Sequence, residues 1–400
     1  MPGEFKRRFW VPPRAHGEII EDRTVSFLEL FYDLVYVVVV AQAAHALAHN
    51  VSWRGVVDFG AIFGLIWLGW LNGTLYYDLH GREDGRTRTV VFAQMMLLAW
   101  LAVYTEGAPT ETGEEFALVY AIFMGLLTLL WYGVRRQDSD EYGRITAQYI
   151  TGSVVFTVVM FATIWVDAEV RVWVWGGFVL LYIMSGIVIV RSGERTSNIG
   201  FDTTDSLVER FGLFTIIVLG EVVVGVVGGL SSTDLTPLAV VTGMLGLMIG
   251  FAFWWSYFDF VGRRHPREAA LHRTRWMFGH FPVTLAIAAA GAAMVSMVEH
   301  ASDAHVPAGT AWLMSGAVAF GLIWLVLVMR TLQDYQRVPE LFNPTAGTLL
   351  AAASLVVFIG WWQPAPWLML LTLWTVLSAT WFTAAYRWMH LDDPEAALPG

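Results

Sequence analysis

Long apolar segments recur along the whole chain, and they constrain its fold more than any other feature. A helix rises about 1.5 Å per residue, so about 20 apolar residues cross the hydrocarbon core of a bilayer. Only helices and closed barrels satisfy their backbone polar groups inside lipid, and segments of this length favour helices. We therefore predict an all-α polytopic membrane protein with about twelve transmembrane helices, at 24–48, 56–78, 87–105, 115–134, 144–166, 170–190, 208–230, 236–260, 275–298, 308–330, 345–362 and 365–388. Pro237 and Asn343-Pro344 are predicted to begin the eighth and eleventh of these spans.

Composition supports this class and narrows the chemistry. Of the 400 residues, 56% are apolar and only 14% are charged, which is enough apolar sequence for many membrane spans. The absence of cysteine excludes disulfides, zinc–thiolate sites and cysteine nucleophiles. A formal net charge of −10 does not favour nucleic-acid binding, which usually requires a basic patch. The first apolar segment is as long as a full span, so we expect it to stay attached and not to be cleaved as a signal peptide.

Arginines are distributed unevenly among the connections between predicted spans. Odd-numbered connections contain only Arg54 and Arg171, among many acidic residues. Even-numbered connections contain Arg82, Arg86, Arg88, Arg135, Arg136, Arg144, Arg191, Arg195, Arg263, Arg264, Arg267, Arg273, Arg275, Arg330 and Arg337. Because short cytoplasmic loops carry the excess of Lys and Arg, this asymmetry predicts that both termini lie in the cytoplasm.

Three short motifs recur in the same order in the two halves of the chain. They are Glu29-Leu-Phe31 with Glu209-Arg-Phe211, Tyr76-Tyr-Asp78 with Tyr257-Phe-Asp259, and Arg86-Thr-Arg88 with Arg273-Thr-Arg275, at offsets of 180, 181 and 187 residues. Six spans per half is an even number, so the motifs predict a parallel six-plus-six internal repeat about an axis along the membrane normal. The predicted organisation is a cytoplasmic segment 1–23, a first half 24–190, a cytoplasmic linker 191–207, a second half 208–388 and a cytoplasmic tail 389–400.

Two carboxylates, Glu29 and Asp33, lie in the first turns of the first span. Residues four apart on a helix lie within roughly 40° of each other, so both acids share one face. A carboxylate in hydrocarbon is costly and is rarely kept there without a partner or a function. We therefore place both residues among the candidates for a substrate or ion pathway.

Further charges gather at the predicted cytoplasmic ends of the spans. They are Asp78 and Arg88 in the first half, and Glu209, Asp259 and Arg275 in the second. We expect each arginine to lie within reach of an acid of its own half. Two interpretations remain open: the ion pairs only lock three helices together, or they form a cytoplasmic gate or ion site that breaks and re-forms.

Glu221 is a candidate of a different kind because of its depth. It lies twelve residues after Glu209, about 18 Å further along a helix and near the middle of the membrane. Gly220, Gly225 and Gly228 would let a neighbouring helix approach closely. We expect Glu221 to be the principal functional acid, facing the interior between the two halves. The alternative is a neutral acid that only forms a hydrogen bond across a helix interface.

Polar residues are fewer in the first span at the depth that corresponds to Glu221. Gln42 lies at that depth and His45 follows one turn later, so both join the candidate pathway. His45 and His49 are four residues apart, but no carboxylate stands between them in the pattern of zinc proteases. The sequence therefore predicts no metal site, no bound cofactor and no catalytic residue.

Two of these stretches resemble the signatures of a known family. Phe27-Leu-Glu-Leu-Phe-Tyr-Asp-Leu-Val-Tyr36 resembles the "LELFFDLVF" signature of the bacterial low temperature requirement protein A family. The stretch from Glu209 to Glu221 is similar to the second signature of that family. The resemblance covers residues 24–390, and it implies a polytopic protein of the bacterial cytoplasmic (inner) membrane that is linked by name to growth in the cold.

Three classes of function remain open at this point. The repeat, the mid-membrane acid and the charge clusters favour a solute or ion transporter, with proton coupling as one form of it. The alternatives are a non-catalytic membrane component in lipid or cold-stress homeostasis and a membrane-embedded lipid-modifying enzyme. The enzyme is the less favoured alternative because no nucleophile, metal constellation or nucleotide motif is recognisable. The expected partners are membrane lipid and a small solute or ion but no nucleic acid, and a homo-oligomer is compatible with the sequence.

Overall fold

The computed structural model describes residues 9, 11–16, 18, 25–82, 84–139, 142–191 and 203–393. Within these residues the chain forms one 3₁₀ helix and thirteen α-helices, and its only β-type pairing is an isolated bridge. The helices are α1 Phe27–His49, α2 Trp53–His80, α3 Gly85–Thr105, α4 Gly113–Arg135, α5 Gly143–Ala162, α6 Ala168–Arg191, α7 Asp205–Ser232, α8 Pro237–Phe260, α9 Ala270–Glu299, α10 Ala308–Met329, α11 Asp334–Arg337, α12 Pro339–Trp362 and α13 Pro366–Met389.

Twelve of these helices are long and apolar enough to cross a bilayer. The exception is α11, which has four residues and lies in the connection between α10 and α12. The predicted all-α polytopic class with twelve spans is therefore confirmed. The cytoplasmic location of the termini and the internal repeat stay predictions.

Two span starts show how local sequence ends and begins these helices. α8 begins at Pro237 as predicted, and the Thr236 hydroxyl accepts a hydrogen bond from the Ala239 amide at 3.1 Å. The predicted start at Asn343-Pro344 is wrong, because α12 begins at Pro339 and contains Pro344. Pro344 is the sixth residue of α12, so it removes one regular backbone hydrogen bond, that to the Glu340 carbonyl, and the helix continues past it.

The described residues divide into two compact units, and the first comprises residues 1–43 and 60–210. Its helix α2 contacts α4, where the Tyr120 hydroxyl donates to the Leu65 carbonyl at 2.7 Å. α2 also packs closely on α6, since a Cβ added at Gly64 would lie 2.8 Å from Cγ1 of Val179. The helices of this unit thus meet through aromatic side chains and small residues, as membrane helices commonly do.

The second unit comprises residues 44–59 and 211–400. α9 contacts α8, α10 and α13, while α10 packs on α12, and α13 packs on both α8 and α12. Gly360 of α12 lies against α10, because a Cβ at that position would lie 2.0 Å from Oγ of Ser315. The unit therefore depends on the same kind of close helix contact as the first one.

The domain organisation predicted from the sequence stays a prediction. Residues 192–202 of the predicted linker 191–207, residues 394–400 of the tail and most of the segment 1–23 lie outside the described residues. The two compact units differ from the predicted halves 24–190 and 208–388 in two respects, since residues 44–59 belong to the second unit and residues 208–210 belong to the first.

Single cysteines in this naturally cysteine-free chain would test the predicted orientation. Ser139 is exposed in the connection between α4 and α5, and Asp303 is exposed in the connection between α9 and α10. We expect Asp303→Cys to react with a membrane-impermeant maleimide in intact cells. Ser139→Cys should react only after the membrane is permeabilised. The opposite pattern would contradict the prediction that both termini lie in the cytoplasm.

Candidate functional site

A buried ion pair in the first unit joins α1 to the start of α7. The guanidinium of Arg210 donates to Asp33, with Nη2 2.6 Å from Oδ1 and Nε 3.3 Å from Oδ2. The indole of Trp70 on α2 donates to the same Oδ1 at 3.0 Å. Arg210 is 0% exposed and Asp33 is 1% exposed, so neither charge is solvated by water. The ion pair and the indole thus connect α1, α2 and α7, and neither buried charge could lose its partner without a large cost in stability.

Glu29 is the second carboxylate beside Arg210, and it also caps its own helix. Its side chain accepts from the Ser26 amide at 3.0 Å, and the Ser26 hydroxyl accepts from the Glu29 amide at 3.3 Å. This reciprocal pattern is a capping box at the N-terminus of α1. Oε1 of Glu29 lies 4.0 Å from Nη1 of Arg210, and Nη1 is buried with no hydrogen-bond partner among the described residues.

Aromatic side chains form the surroundings of this ion pair. The Tyr32 and Tyr36 hydroxyls lie 3.1 Å apart, and Tyr77 contacts the Tyr32 ring edge-on at 6.0 Å between centroids. Tyr77 in turn donates to Oε1 of Gln94 at 2.5 Å. A water-poor environment of this kind strengthens electrostatic interactions and raises the cost of separating the pair. Arg210 and Asp33 can separate at low cost only if another group replaces the hydrogen bonds that each of them loses.

Arg88 does not form an ion pair with Asp78 or Glu29, the two acids expected to lie within its reach. Arg88 is exposed, and within the described ranges no ion pair joins it to an acid. Asp78 instead accepts from the Thr204 hydroxyl at 2.8 Å, and the same hydroxyl caps α7 by accepting from the Leu207 amide at 3.0 Å. A residue in the first turn of α3 can point into solvent at little cost, which explains the exposure of Arg88.

The predicted charges of the second half are not joined by an ion pair among the described residues either. Glu209 and Arg275 are both exposed, and no described residue forms an ion pair with either of them. The Asp259 carboxylate accepts from the Trp381 indole at 2.5 Å, and the Asp259 backbone carbonyl accepts from the Arg264 guanidinium at 3.0 and 3.2 Å. Among the described residues, Asp78, Arg88, Glu209, Asp259 and Arg275 therefore form no ion pair with one another.

Sequence analysis missed Arg210, the residue at the centre of the site. Neighbouring residues differ by about 100° around a helix, so a buried Arg210 requires Glu209 to point elsewhere. Arg210, Phe214, Val218 and Val222 follow at spacings of four, and all four are buried. This apolar stripe was the available signal, because it includes the arginine and leaves out the glutamate.

Glu221 is buried in the second unit, where α7 crosses α9. It is 2% exposed, and its Oε1 has no hydrogen-bond partner among the described residues. The close approach comes from Gly291, where an added Cβ would lie 2.7 Å from the carbonyl carbon of Glu221. Gly225 also faces α9, since a Cβ there would lie 2.1 Å from the Gly291 oxygen. The acid is thus held against a helix backbone.

The other predicted neighbours of this acid contribute less. Gly220 has no atom within 4 Å of an added Cβ, and Gly228 has only Cγ2 of Val295 at 3.9 Å, so neither is needed for a close helix contact. In α1, Gln42 is half-buried, whereas His45 is exposed and its ring lies 4.2 Å from that of His49.

A segment before α1 covers the ends of helices in the first unit. The Arg14 guanidinium donates to the carbonyls of Asp78 and Gly81 at 2.5 and 2.8 Å. His16 and Asp138 form an ion-pair contact at 3.1 Å, and the Thr146 hydroxyl also donates to Asp138. Burial raises the pKa of Asp138, but these hydrogen bonds outweigh it and hold the pKa below its ordinary value. The segment is therefore fixed by hydrogen bonds to backbone carbonyls at the end of α2 and to the Asp138 side chain.

Removing one partner of the buried pair should be far more damaging than removing both. Arg210→Leu leaves Asp33 buried without its cation, and we expect a loss of about 3–5 kcal/mol of stability. The double variant Asp33→Leu with Arg210→Leu removes both charges and should recover much of that loss. Thermal unfolding in detergent measures these changes, and exposed Arg88→Leu is the matched control, which should stay near the unaltered protein.

The contact of α7 with α9 can be tested at Gly291. A methyl group there would meet backbone atoms of Glu221, so Gly291→Ala should destabilise the protein by about 1–3 kcal/mol. Gly316 lies within helix α10 with no atom within 4 Å of an added Cβ, so Gly316→Ala is the control. The control should be neutral or slightly stabilising, because alanine favours helix. Equal unfolding temperatures for both variants would contradict the close crossing.

Comparison with known proteins identifies the relatives of this chain. It is 25% identical over 295 residues to "Uncharacterized protein RA0937" of Rhizobium meliloti (strain 1021), and the alignment covers 66% of this chain and 68% of that protein. No solved structure matches the chain. The family model described as "Bacterial low temperature requirement A protein (LtrA)" matches residues 24–381, a range that contains Glu29, Asp33, Arg210 and Glu221. The chain therefore belongs to the bacterial low temperature requirement A family of polytopic helical membrane proteins.

Proposed function

We propose that this protein is a transporter of a small solute or ion in the bacterial inner membrane, and that the Arg210–Asp33 pair breaks and re-forms during its cycle. One observation carries the proposal: a fully buried guanidinium lies among two carboxylates and keeps one nitrogen without a hydrogen bond. A charge pair that served only to hold helices together would be expected to use all its donors, because each unused buried donor is costly.

The charges of this cluster favour exchange of a proton or a cation. Asp33 and Glu29 together carry two negative charges when ionised, and Arg210 carries one positive charge. The surplus negative charge can be neutralised by a proton or a cation, and the unbonded Nη1 can donate to an anionic group of a solute. Protonation of Asp33 would weaken its hold on Arg210 and make the guanidinium available. The cluster can thus couple occupancy to a change in helix contacts.

Glu221 is the second ionisable group of the proposal, and it acts within its own unit. Its Oε1 lacks a hydrogen-bond partner among the described residues, so loss or gain of a proton there changes the fit of α7 against α9. We assign proton exchange to Glu221, with Gln42 and His45 of α1 as candidate pathway residues of lower rank. A purely structural acid would be expected to donate a hydrogen bond to a nearby acceptor.

The proposal is tested by flux in proteoliposomes that contain the pH-sensitive dye pyranine. Small amino acids, organic acids and inorganic cations are added outside, one class at a time, and solute-dependent change of internal pH is recorded. We expect at least one class to move protons with the unaltered protein. Flat traces for all three classes would contradict proton-coupled transport and favour a non-catalytic role in lipid or cold-stress homeostasis.

Glu221→Gln separates coupling from folding in the same assay. The amide keeps the shape of the side chain and removes the ionisable group, so we expect an unchanged unfolding temperature and a loss of most of the pH-dependent flux. Exposed Glu209→Gln, in the same helix, is the matched control and should retain the flux. Retention of full flux by Glu221→Gln would remove this acid from the mechanism and leave the Arg210 cluster to be tested alone.

A further inference from the structure

A basic cleft of about 380 Å³ lies at one end of the second unit, outside the sites described above. It is formed by the connection from α8 to α9 and by the connection from α10 to α12. Its lining residues all have polar or charged side chains, and they are Arg267, Glu268, Gln333, Gln336 and Arg337. Both connections are even-numbered, so the positive-inside rule places the cleft at the cytoplasmic surface.

The two connections that form the cleft are fixed to each other by backbone hydrogen bonds. The Arg267 amide donates to the Thr331 carbonyl at 2.9 Å, and the Gln333 amide donates to the His265 carbonyl at 3.0 Å. An isolated antiparallel bridge between Pro266 and Leu332 lies between these bonds. The cleft is therefore organised before any ligand enters, which lowers the entropic cost of binding.

Arg267 is oriented by a backbone carbonyl of the neighbouring connection. Its Nη2 donates to the Arg330 carbonyl at 2.6 Å, which holds the guanidinium in one direction. Its Nε is buried and has no hydrogen-bond partner among the described residues. A buried Nε cannot reach a ligand, so Arg267 can contact an anion only through its Nη groups, and its planar guanidinium has the charge and shape that carboxylates and phosphates bind well.

Arg337, on the other side of the cleft, is only weakly engaged by the protein. Its Nη1 lies 3.6 Å from Asp334, and its side chain is 65% exposed. Asp334 already accepts from Arg264 at 2.6 Å, so its charge is largely neutralised. With Arg264 and Asp334 cancelling, the lining carries two positive charges and the one negative charge of Glu268. The net charge of about +1 matches a single phosphodiester.

We propose that this cleft binds the phosphodiester headgroup of a membrane phospholipid. The cleft lies at the ends of membrane spans, where lipid headgroups are at high local concentration, and basic pockets at the cytoplasmic surface attract anionic headgroups. Arg267 and Arg337 would each donate to phosphate oxygens, and Glu268 would accept from a hydroxyl or ammonium group of the headgroup. The ligand would add restraint between α8, α9, α10 and α12.

The experiment uses the full protein, purified in detergent and stripped of lipid. Phosphatidylglycerol is titrated in, and binding is followed by the unfolding temperature and by native mass spectrometry. We expect saturable stabilisation, with the affinity for phosphatidylglycerol at least about tenfold weaker in Arg337→Gln. Arg275→Gln removes an equal charge from an exposed residue in the second turn of α9, outside the cleft lining, and this variant should bind like the unaltered protein.

Two further ligands distinguish the sources of the effect. Diacylglycerol has the same tails without phosphate, and inorganic phosphate has the anion without tails; neither should reproduce the stabilisation. Equal stabilisation by diacylglycerol, by inorganic phosphate, or by phosphatidylglycerol in Arg337→Gln would overturn the proposal. Because Arg267 also holds the Arg330 carbonyl, Arg267→Gln is used only with its unfolding temperature measured first, and Arg337→Gln decides the result.

Discussion

The cation of Arg210 is the constraint on which the first unit depends. A guanidinium cannot lose its proton at any physiological pH, so a position inside the membrane commits it to a negatively charged partner. Asp33 provides that partner with two hydrogen bonds, and Trp70 fixes the carboxylate from a third helix. The rotation of α1, of α2 and of the start of α7 is therefore set by one group. Apolar contacts alone would tolerate several rotations, because lipid tails and neighbouring side chains are similarly apolar.

The number of spans could be predicted from the sequence because it depends on length and hydropathy, which hold for a whole segment. An error of a few residues in where a helix begins, such as the start of α12 at Pro339, does not change the number of spans. The site depends on rotation about a helix axis, where an error of one residue moves a side chain by about 100°. The two acids of α1 were identified because they are unusual in any rotation. The arginine next to Glu209 was missed because a repeated motif drew attention to the wrong one of two adjacent charges.

Glu29 shows how one residue can satisfy two explanations. Its place three residues after Ser26 is a capping signal that the sequence already contained, and the structure contains both hydrogen bonds of that motif. The same carboxylate lies 4.0 Å from Nη1 of Arg210, too far for a direct hydrogen bond and near enough for a strong electrostatic interaction. A helix cap thus keeps a negative charge beside the cation without using the last donor of Arg210. This separation is the feature that a pair made only for stability does not explain.

The exposed and buried charges of this protein have different physical roles. Arg88, Glu209 and Arg275 are exposed, so water or lipid headgroups solvate them and each can change with little effect on the fold. Their distribution along the chain, rather than any single contact, is what sets the predicted orientation in the membrane. Arg210, Asp33 and Glu221 are buried, so the surrounding helices must solvate them or pay in stability. The sequence alone, which shows only that each residue is ionisable, does not distinguish these two groups. Burial separates them: the first group contributes to the predicted orientation, and the second depends on the helices around it for its solvation.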